Sequence, residues 1–320
     1  MELKGEKYSM RTVKVEAPAT IANLGPCFDV LGIALTYPRD VLTLSLIEDS
    51  DEITIEGIEG LKGNSIPKLV GQNTAGLAAK VLLSKLELKV GLKINIKKGI
   101  RAASGMGSSG ASAAGVVYGI SKLLERSIDN TILIEAAAEG ERAAANTAHA
   151  DNVAAAILGG IVVLRSHVPL DFIRFQVPEK LTFAIVLPEL ELVTAKSRSV
   201  LPLKLKFADS VSQMGSCAYL IAALVKGDLI KIGKAVNSDY LVEPARAALI
   251  RGFKEVKQAA LKTGAYGCSI CGGGPSIFAV CDRDNQESVL GAMGDALKNL
   301  DIKFNGFKSY PSNEGSKVVK

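Results

Sequence analysis

The run Ala102-Ala103-Ser104-Gly105-Met106-Gly107-Ser108-Ser109-Gly110-Ala111-Ser112 constrains this chain more than any other segment. Everything in it is small except Met106. An alternating apolar stretch, Leu92, Ile94 and Ile96, precedes it and predicts a strand. A helical pattern from Ala111 to Arg126 follows, with Val116, Val117, Ile120, Leu123 and Leu124 at helical spacing. A glycine-rich loop that opens a helix can cradle phosphate. Its glycines let the backbone approach, its N–H groups point at oxygens, and the helix dipole favours negative charge. Ser108 and Ser109 add hydroxyls that reach a phosphate or a phosphate-bound Mg²⁺. The alternative is a glycine-rich turn that only packs helix on sheet.

The string Gly105 to Gly110 also satisfies G-x-G-x-x-G, the dinucleotide fingerprint. That version follows its strand almost directly, whereas Lys97 to Ala103 intervene here. It also needs an acidic residue ending the next strand, and Asp129 precedes an apparent helix instead. No G-x-x-x-x-G-K-[ST] run is present, so the loop is not a Walker A motif.

The 320 residues suit two modest domains with a sizeable core. The net charge of +5 is spread along the chain, and no basic run with interleaved aromatics points to nucleic acid. The mild excess suits an anionic substrate. Charged residues interrupt every long apolar segment, which excludes a membrane partner of the spanning kind. Met1 to Ser9 read as a polar, disordered leader without a signal-peptide core, and Met10 as an alternative start. Five cysteines without a secretory context point to a reducing, cytoplasmic setting. Cys268-Ser-Ile-Cys271 lacks a second pair for zinc and reads as buried thiols rather than a metal or redox site.

Strand and helix patterns alternate in the first half. Strands are expected at Thr12–Ala17, Val41–Ile47, Gly91–Ile96 and Ile161–Leu164, and helices at Thr74–Leu86, Ala111–Arg126 and Ile132–Ala145. The second half adds strands at Phe172–Val177, Leu181–Leu187, Cys268–Cys271 and Ser276–Cys281. Its helices fall at Phe207–Lys226, Leu229–Val236, Ala245–Thr263 and Gln286–Leu297. The class is α+β, with a boundary near Arg165 to Leu170.

Three segments carry a family resemblance: Ala17 to Gly32 (APATIANLGPCFDVLG), the loop above, and Gly267 to Phe278 (GCSICGGGPSIF). Together, and in this order, they resemble the GHMP kinase family. The first segment, Glu141, and His149-Ala-Asp-Asn-Val-Ala154 look most like its homoserine kinase branch. Pro26, Ala155 and Cys271 depart from the family pattern, which more often has Gly, Pro and Ser there. The resemblance implies a two-domain fold: an S5-like ATP-binding domain over residues 1–167, a ferredoxin-like domain over 168–320, and the site in the cleft between them.

It further implies transfer of phosphate from ATP, with Mg²⁺, to the side-chain hydroxyl of L-homoserine in threonine biosynthesis, and it allows a homodimer. ATP would be held by Asn73, Ala103, Ser104, Gly105, Met106, Gly107, Ser108, Ser109, Gly110, Gly273 and Gly274, and the metal by Ser109 and Glu141. Asn73 serves equally as a helix N-cap, and Glu141 as a solvated helix charge beside Glu135 and Glu139. Homoserine is a zwitterion: its carboxylate asks for guanidinium, matched by Arg198 and Arg246 with Thr194 nearby, and its ammonium for a carboxylate, matched by Asp29. Asn23 and Asn152 match its hydroxyl. Mevalonate kinase-like relatives carry Asp where Asn152 stands, and an amide cannot take a proton. Catalytic roles therefore fall to Asn23, Asn152 and Glu141 through positioning and electrostatics, with His149 and Asp151 as alternative bases. The competing readings are a shikimate- or mevalonate-type kinase and a catalytically silent binding protein.

Overall fold

The structure is a computed structural model that describes residues 11–47, 50–145, 148–190, 192 and 194–320, and omits the side chains of Ala145, Thr194 and Ala195. The expected leader, Met1 to Ser9, and Met10 lie outside the described residues. The first half runs β1 (Thr12–Ala22), β2 (Leu31–Ile47), β3 (Ile53–Gly60), α1 (Thr74–Lys85), β4 (Gly91–Lys98), α2 (Ser108–Leu123), α3 (Asn130–Gly140), α4 (Arg142–Ala145), α5 (Asp151–Leu158), β5 (Ile161–His167) and β6 (Leu170–Phe175). The second half runs β7 (Thr182–Pro188), α6 (Thr194–Ser199), α7 (Phe207–Lys226), α8 (Leu229–Val236), α9 (Val242–Ala247), α10 (Phe253–Lys262), β8 (Gly267–Ile270), β9 (Ile277–Cys281), α11 (Gln286–Lys298), β10 (Phe304–Ser309) and β11 (Lys317–Val319).

The first sheet has the order β11-β1-β2-β4-β3, with β5 pairing β2 and β6 pairing β5. The second has the order β10-β7-β9-β8, the 4-1-3-2 arrangement of a ferredoxin-like unit. The expected division at 167/168 cuts the β5–β6 hairpin, which stays in the first sheet, and β11 brings the end of the chain back to β1.

Strand β4 shows why this region folds as it does. Leu92, Ile94 and Ile96 point inward and Lys93, Asn95 and Lys97 outward, which is the period-two pattern of a half-buried strand. Helix α2 packs closely on the neighbouring strands β1 and β2, because its sheet-facing side lacks side chains. A Cβ on Gly119 would lie 2.1 Å from Leu44 Cδ1, and one on Gly115 2.5 Å from Leu42 Cδ1.

The inward alternation of β4 continues to Lys98, which is almost fully buried. Its ammonium pairs with Asp40 of β2 and donates to Ser108 O and Ser112 Oγ, both at 2.8 Å. The other Asp40 oxygen accepts from the N–H groups of Gly99 and Ile100 at 3.0 Å each. The pair thus fastens the end of β4 to the start of α2.

Several elements differ from the sequence pattern for identifiable reasons. The helix expected over Ile132–Ala145 breaks at Glu141, dividing α3 from α4, and that over Ala245–Thr263 breaks before Gly252, whose φ is +85°. Helix α2 begins at Ser108, three residues before the apolar pattern, because Gly107 in the left-handed region starts it. Strand β2 extends back to Leu31 through Pro38, which the pattern could not cross. Cys27 and Cys217 are disulfide-bonded, a pairing the sequence pattern did not announce. Cys268 and Cys271 are free and buried, and burial pushes both thiols up, as inert core residues require.

Removing one partner of a buried ion pair strands the other charge, at a cost of about 3–5 kcal/mol. Asp40→Ala is therefore expected to destabilise the protein by about that much in a urea titration. A midpoint equal to wild type would show that Lys98 is not the buried cation described here.

Candidate active site

The three sequence motifs meet at one cleft. Thr20 N donates to Met106 O at 3.1 Å, Ser276 N to Ser104 O at 3.1 Å, and Gly272 N to Ala22 O at 3.4 Å. The loop can sit there only without side chains at two points. A Cβ on Gly105 would lie 2.5 Å from Cys271 O and 2.6 Å from Gly274 O, and one on Gly107 2.1 Å from Thr20 Oγ1. Both glycines also hold positive φ, +81° and +66°. The resulting cleft has a volume of about 340 Å³.

One end of the cleft is the start of α2, where backbone N–H groups and the helix dipole face inward. Ser108 and Ser109 divide their duties. Ser108 Oγ donates to Ile100 O at 2.9 Å and is spent on the backbone, whereas Ser109 Oγ donates to Glu141 Oε2 at 2.9 Å. Glu141 is buried, not the solvated helix charge that its neighbours suggested. Its Oε1 has no hydrogen-bond partner, and burial raises its pKa from 4.5 to about 7. A buried carboxylate oxygen without a partner fits a cation. Among the described residues no cluster of three or more His, Cys, Asp or Glu is assembled. Ser109 and Glu141 would thus hold a Mg²⁺ whose other ligands are phosphate and water, as that ion prefers.

The other end carries charge of both signs. Arg198 Nη2 lies 2.7 Å from Asp29 Oδ2. Arg246 is buried and donates through Nε to Ser197 O at 3.1 Å and through Nη1 to Gly272 O at 2.8 Å. Burial lowers its pKa to about 10, which leaves it charged. The two guanidinium carbons sit 5.2 Å (Arg198) and 5.1 Å (Arg246) from the centre of the Phe28 ring, which steers both into the cleft. Arg198 Nη2 is also 3.3 Å from His149 Nδ1, and burial lowers the pKa of His149. Asp29 itself adopts φ +57° and its N–H is held by Asn23 Oδ1 at 3.0 Å. The Asn23 amide nitrogen donates to Gly272 O at 3.2 Å.

Asn152 and Asp151 lie in the first turn of α5, and both line the cleft. Thr20, fully buried, donates from Oγ1 to Asn152 Oδ1 at 2.6 Å. That bond fixes which way the carboxamide faces and leaves its N–H₂ for other partners, one being Asp151 Oδ1 at 3.4 Å. Burial and the nearby Asp29 charge raise Asp151 from 3.8 to about 6.

Of the sequence candidates, Asn23, Asp29, Asn73, Ala103, Ser104, Gly105, Gly107, Ser108, Ser109, Glu141, Asn152, Arg198, Arg246 and Gly273 line the cleft. Met106, Gly110 and Gly274 do not: Met106 is buried in the core, Gly110 faces the Asn152 Cβ, and Gly274 packs against Ile250. The side chain of Thr194 lies outside the described residues. Asn73 fills its N-cap role, accepting from the N–H groups of Ala75 and Gly76 and donating to Pro67 O at 2.8 Å. Sequence reasoning missed Thr20, Phe28, Asp40 and Lys98. Lys98 and Asp40 left a signal, each a charge at an inward position of a strand alternation.

Residues 73–160 match the family model described as GHMP kinases N terminal domain, and residues 220–299 the one described as GHMP kinases C terminal. A homoserine kinase of Methanococcus vannielii is 40% identical over 277 residues, 86% of this chain and 90% of that one.

The chain belongs to the GHMP kinase family.

A homoserine kinase of Chlorobium phaeovibrioides is 41% identical over 322 residues, covering 97% of this chain and all of that one. Among solved structures of the family, a homoserine kinase from Cytophaga hutchinsonii superposes with a TM-score of 0.92 at 37% identity, over 99% of this chain and 100% of that one. An L. major mevalonate kinase shares the fold, at a TM-score of 0.71 and 17% identity over 95% of this chain and 98% of that one.

Two expected outcomes follow for this GHMP kinase. In the unfolded chain Glu141 and Asp151 titrate near 4.5 and 3.8, but in the fold near 7 and 6. The folded state thus binds these protons more tightly. The stability they contribute is complete below about pH 4 and is lost as pH rises toward 7, each tenfold change in proton affinity being worth about 1.4 kcal/mol. Glu141→Gln, neutral throughout, is expected to raise the Tm of the ligand-free protein at pH 8 and to flatten its Tm–pH profile. An unaltered profile would show that Glu141 carries its charge at no cost.

Thr20→Val keeps volume and removes the donor to Asn152. A fall in kcat of roughly fivefold is expected, corresponding to loss of about 1 kcal/mol of positioning, with ATP KM unchanged and activity kept by Thr20→Ser. Equal activity of the Val and Ser variants would dismiss the hydroxyl's role.

Proposed function

We propose that the protein is an ATP-dependent homoserine kinase, which moves the γ-phosphate of ATP to the side-chain hydroxyl of L-homoserine and yields O-phospho-L-homoserine for threonine biosynthesis. The observation that carries this reading is the paired Asp29 carboxylate and Arg198 guanidinium, 2.7 Å apart in the cleft opposite the α2 phosphate cradle. An amino acid presents the complementary pair, an ammonium for Asp29 and a carboxylate for Arg198 and Arg246. Shikimate and mevalonate carry no ammonium. Relatives at about 40% identity named homoserine kinase support the same substrate.

In this reading the N–H groups of α2 and the loop bind the phosphates, and Asn73 stands at the adenosine end. Ser109 and Glu141 would hold Mg²⁺, which, when bound, supplies positive charge to the phosphate oxygens. Asn23 and Asn152 orient the hydroxyl, and Thr194 lies beside the amino-acid end. No carboxylate occupies position 152, so the hydroxyl proton passes to phosphate or water, and the rate comes from alignment and from the fixed charges around the transferring group. The low pKa of His149 keeps it neutral beside Arg198, where it aids carboxylate binding rather than proton transfer. The proposal includes a cytoplasmic location.

ADP release measured with homoserine, shikimate, mevalonate and galactose tests the assignment, with turnover expected for homoserine alone. Arg198→Ala removes a charge-assisted contact of roughly 1.5–3 kcal/mol. It is expected to raise homoserine KM about 10- to 150-fold with ATP KM nearly unchanged. Normal homoserine KM in this variant would place the amino-acid site elsewhere.

A further inference from the structure

The chain has two histidines, and both lie at the Asp29–Arg198 pair. His149 meets the cation, with its Nδ1 3.3 Å from Arg198 Nη2. His167 meets the other partner through its backbone, with its Nε2 2.9 Å from Asp29 O across 138 positions of chain. A carbonyl can only accept, so Nε2 carries the proton and donates, whether the ring is neutral or charged. The register of the β5–β6 hairpin explains how His167 arrives there. Leu164 stands opposite Phe172 and His167 opposite Leu170, with an irregularity between Leu164 and Ser166. Phe172 and Leu170 share a face of β6, so the extra residue on β5 moves His167 onto the face of the buried Leu164. In an unbroken alternation it would follow the exposed Arg165 instead.

The bond falls on backbone that needs holding. Asp29 has φ +57°, outside the basins that a non-glycine residue prefers. Its N–H is held by Asn23 Oδ1 at 3.0 Å, and the next carbonyl, Val30 O, accepts from Leu164 N at 2.7 Å. His167 supplies the remaining hold, on the Asp29 carbonyl itself. We propose that His167 is a positioning residue for substrate recognition: its N–H fixes the Asp29–Val30 peptide plane, and with it the direction in which the Asp29 carboxylate meets the substrate ammonium. The proposal rests on the reading of Asp29 as the partner of that ammonium. Without the bond the peptide is free to rotate toward a more relaxed conformation, which turns the carboxylate away from its place beside Arg198. His167 is exposed, so its effect is on direction rather than on folding. The phosphate end of the cleft is fastened separately, by Lys98 and Asp40, and does not feel the change.

Steady-state kinetics on the full chain, with L-homoserine and ATP varied in turn, are the test. His167→Ala and His167→Phe are each expected to raise homoserine KM about three- to tenfold, with ATP KM and the thermal transition unchanged. His167→Gln, whose amide offers an N–H₂ at similar reach, is expected to bring homoserine KM back to near the wild-type value. Val168→Ser, at the exposed tip of the same hairpin, is expected to change neither KM. A wild-type homoserine KM in His167→Ala overturns the proposal. So does a His167→Gln variant no better than His167→Ala, which would assign the effect to the ring, or an equal rise in both KM values, which would assign it to the fold. Wild-type protein that does not turn over homoserine overturns the substrate reading and this proposal with it, whereas turnover with an unshifted KM in the variants overturns this proposal alone.

Discussion

The buried pair Lys98–Asp40 is the interaction on which the site depends. It lies beneath the glycine-rich loop, where a strand must end, a loop must turn through two left-handed glycines, and a helix must begin. Asp40 ties down the first two N–H groups after β4, and Lys98 ties down the first turn of α2. The loop between them therefore has both ends fixed, and its outward N–H groups are aimed before any phosphate arrives. Preorganised dipoles of this kind stabilise developing charge without a cost of rearrangement during reaction. An ion pair buried this deeply adds little stability over an apolar pair of the same shape; what it adds here is position.

The electrostatics of the cleft divide along its length. At the α2 end, fixed positive potential from the helix and Lys98 faces one carboxylate, Glu141, which burial holds partly protonated when no cation is present. At the other end two guanidiniums outnumber Asp29 and stack on Phe28, so a carboxylate is drawn there and an ammonium is held only beside Asp29. Asp151, raised by burial and by Asp29, sits between the two ends beside Asn152. Charge is therefore placed to orient both reactants, while the amide at position 152 contributes direction rather than proton affinity.

How much of this was legible in the sequence depends on what kind of signal each residue leaves. The loop announced itself by composition, because a backbone that must approach phosphate can carry almost nothing but Gly, Ala and Ser. The α+β class followed from alternation and helical spacing, and the family resemblance brought Asp29, Arg198 and Arg246 together although they lie far apart in the chain. Thr20 left no trace, since a polar residue inside a strand pattern looks the same whether it faces solvent or a buried partner, whereas Asp40 stands two residues before Leu42 on the inward side of its strand. Phe28 drew no reading of its own, since its role depends on two cations from the other half of the chain. Glu141 read from its neighbours as one of several helix charges, because Glu135 and Glu139 flank it in the sequence and its burial is set by tertiary packing. Strand β11 is three residues long and pairs only with the opposite end of the chain, so no local pattern could report it.

The substrate-side loop shows how the two halves of the chain share one task. Asn23, Leu24 and Asp29 all hold positive φ, a conformation that costs each of them energy in isolation. The loop keeps that shape because it is held on several sides: by Gly272 through the Asn23 amide, by Gln213 through Pro26 O, and by Cys217 through the disulfide. Each of those anchors comes from the second half of the chain. Substrate recognition by Asp29 is in this sense a tertiary property. The residue is supplied by the first motif, but its direction is set by elements about two hundred positions later.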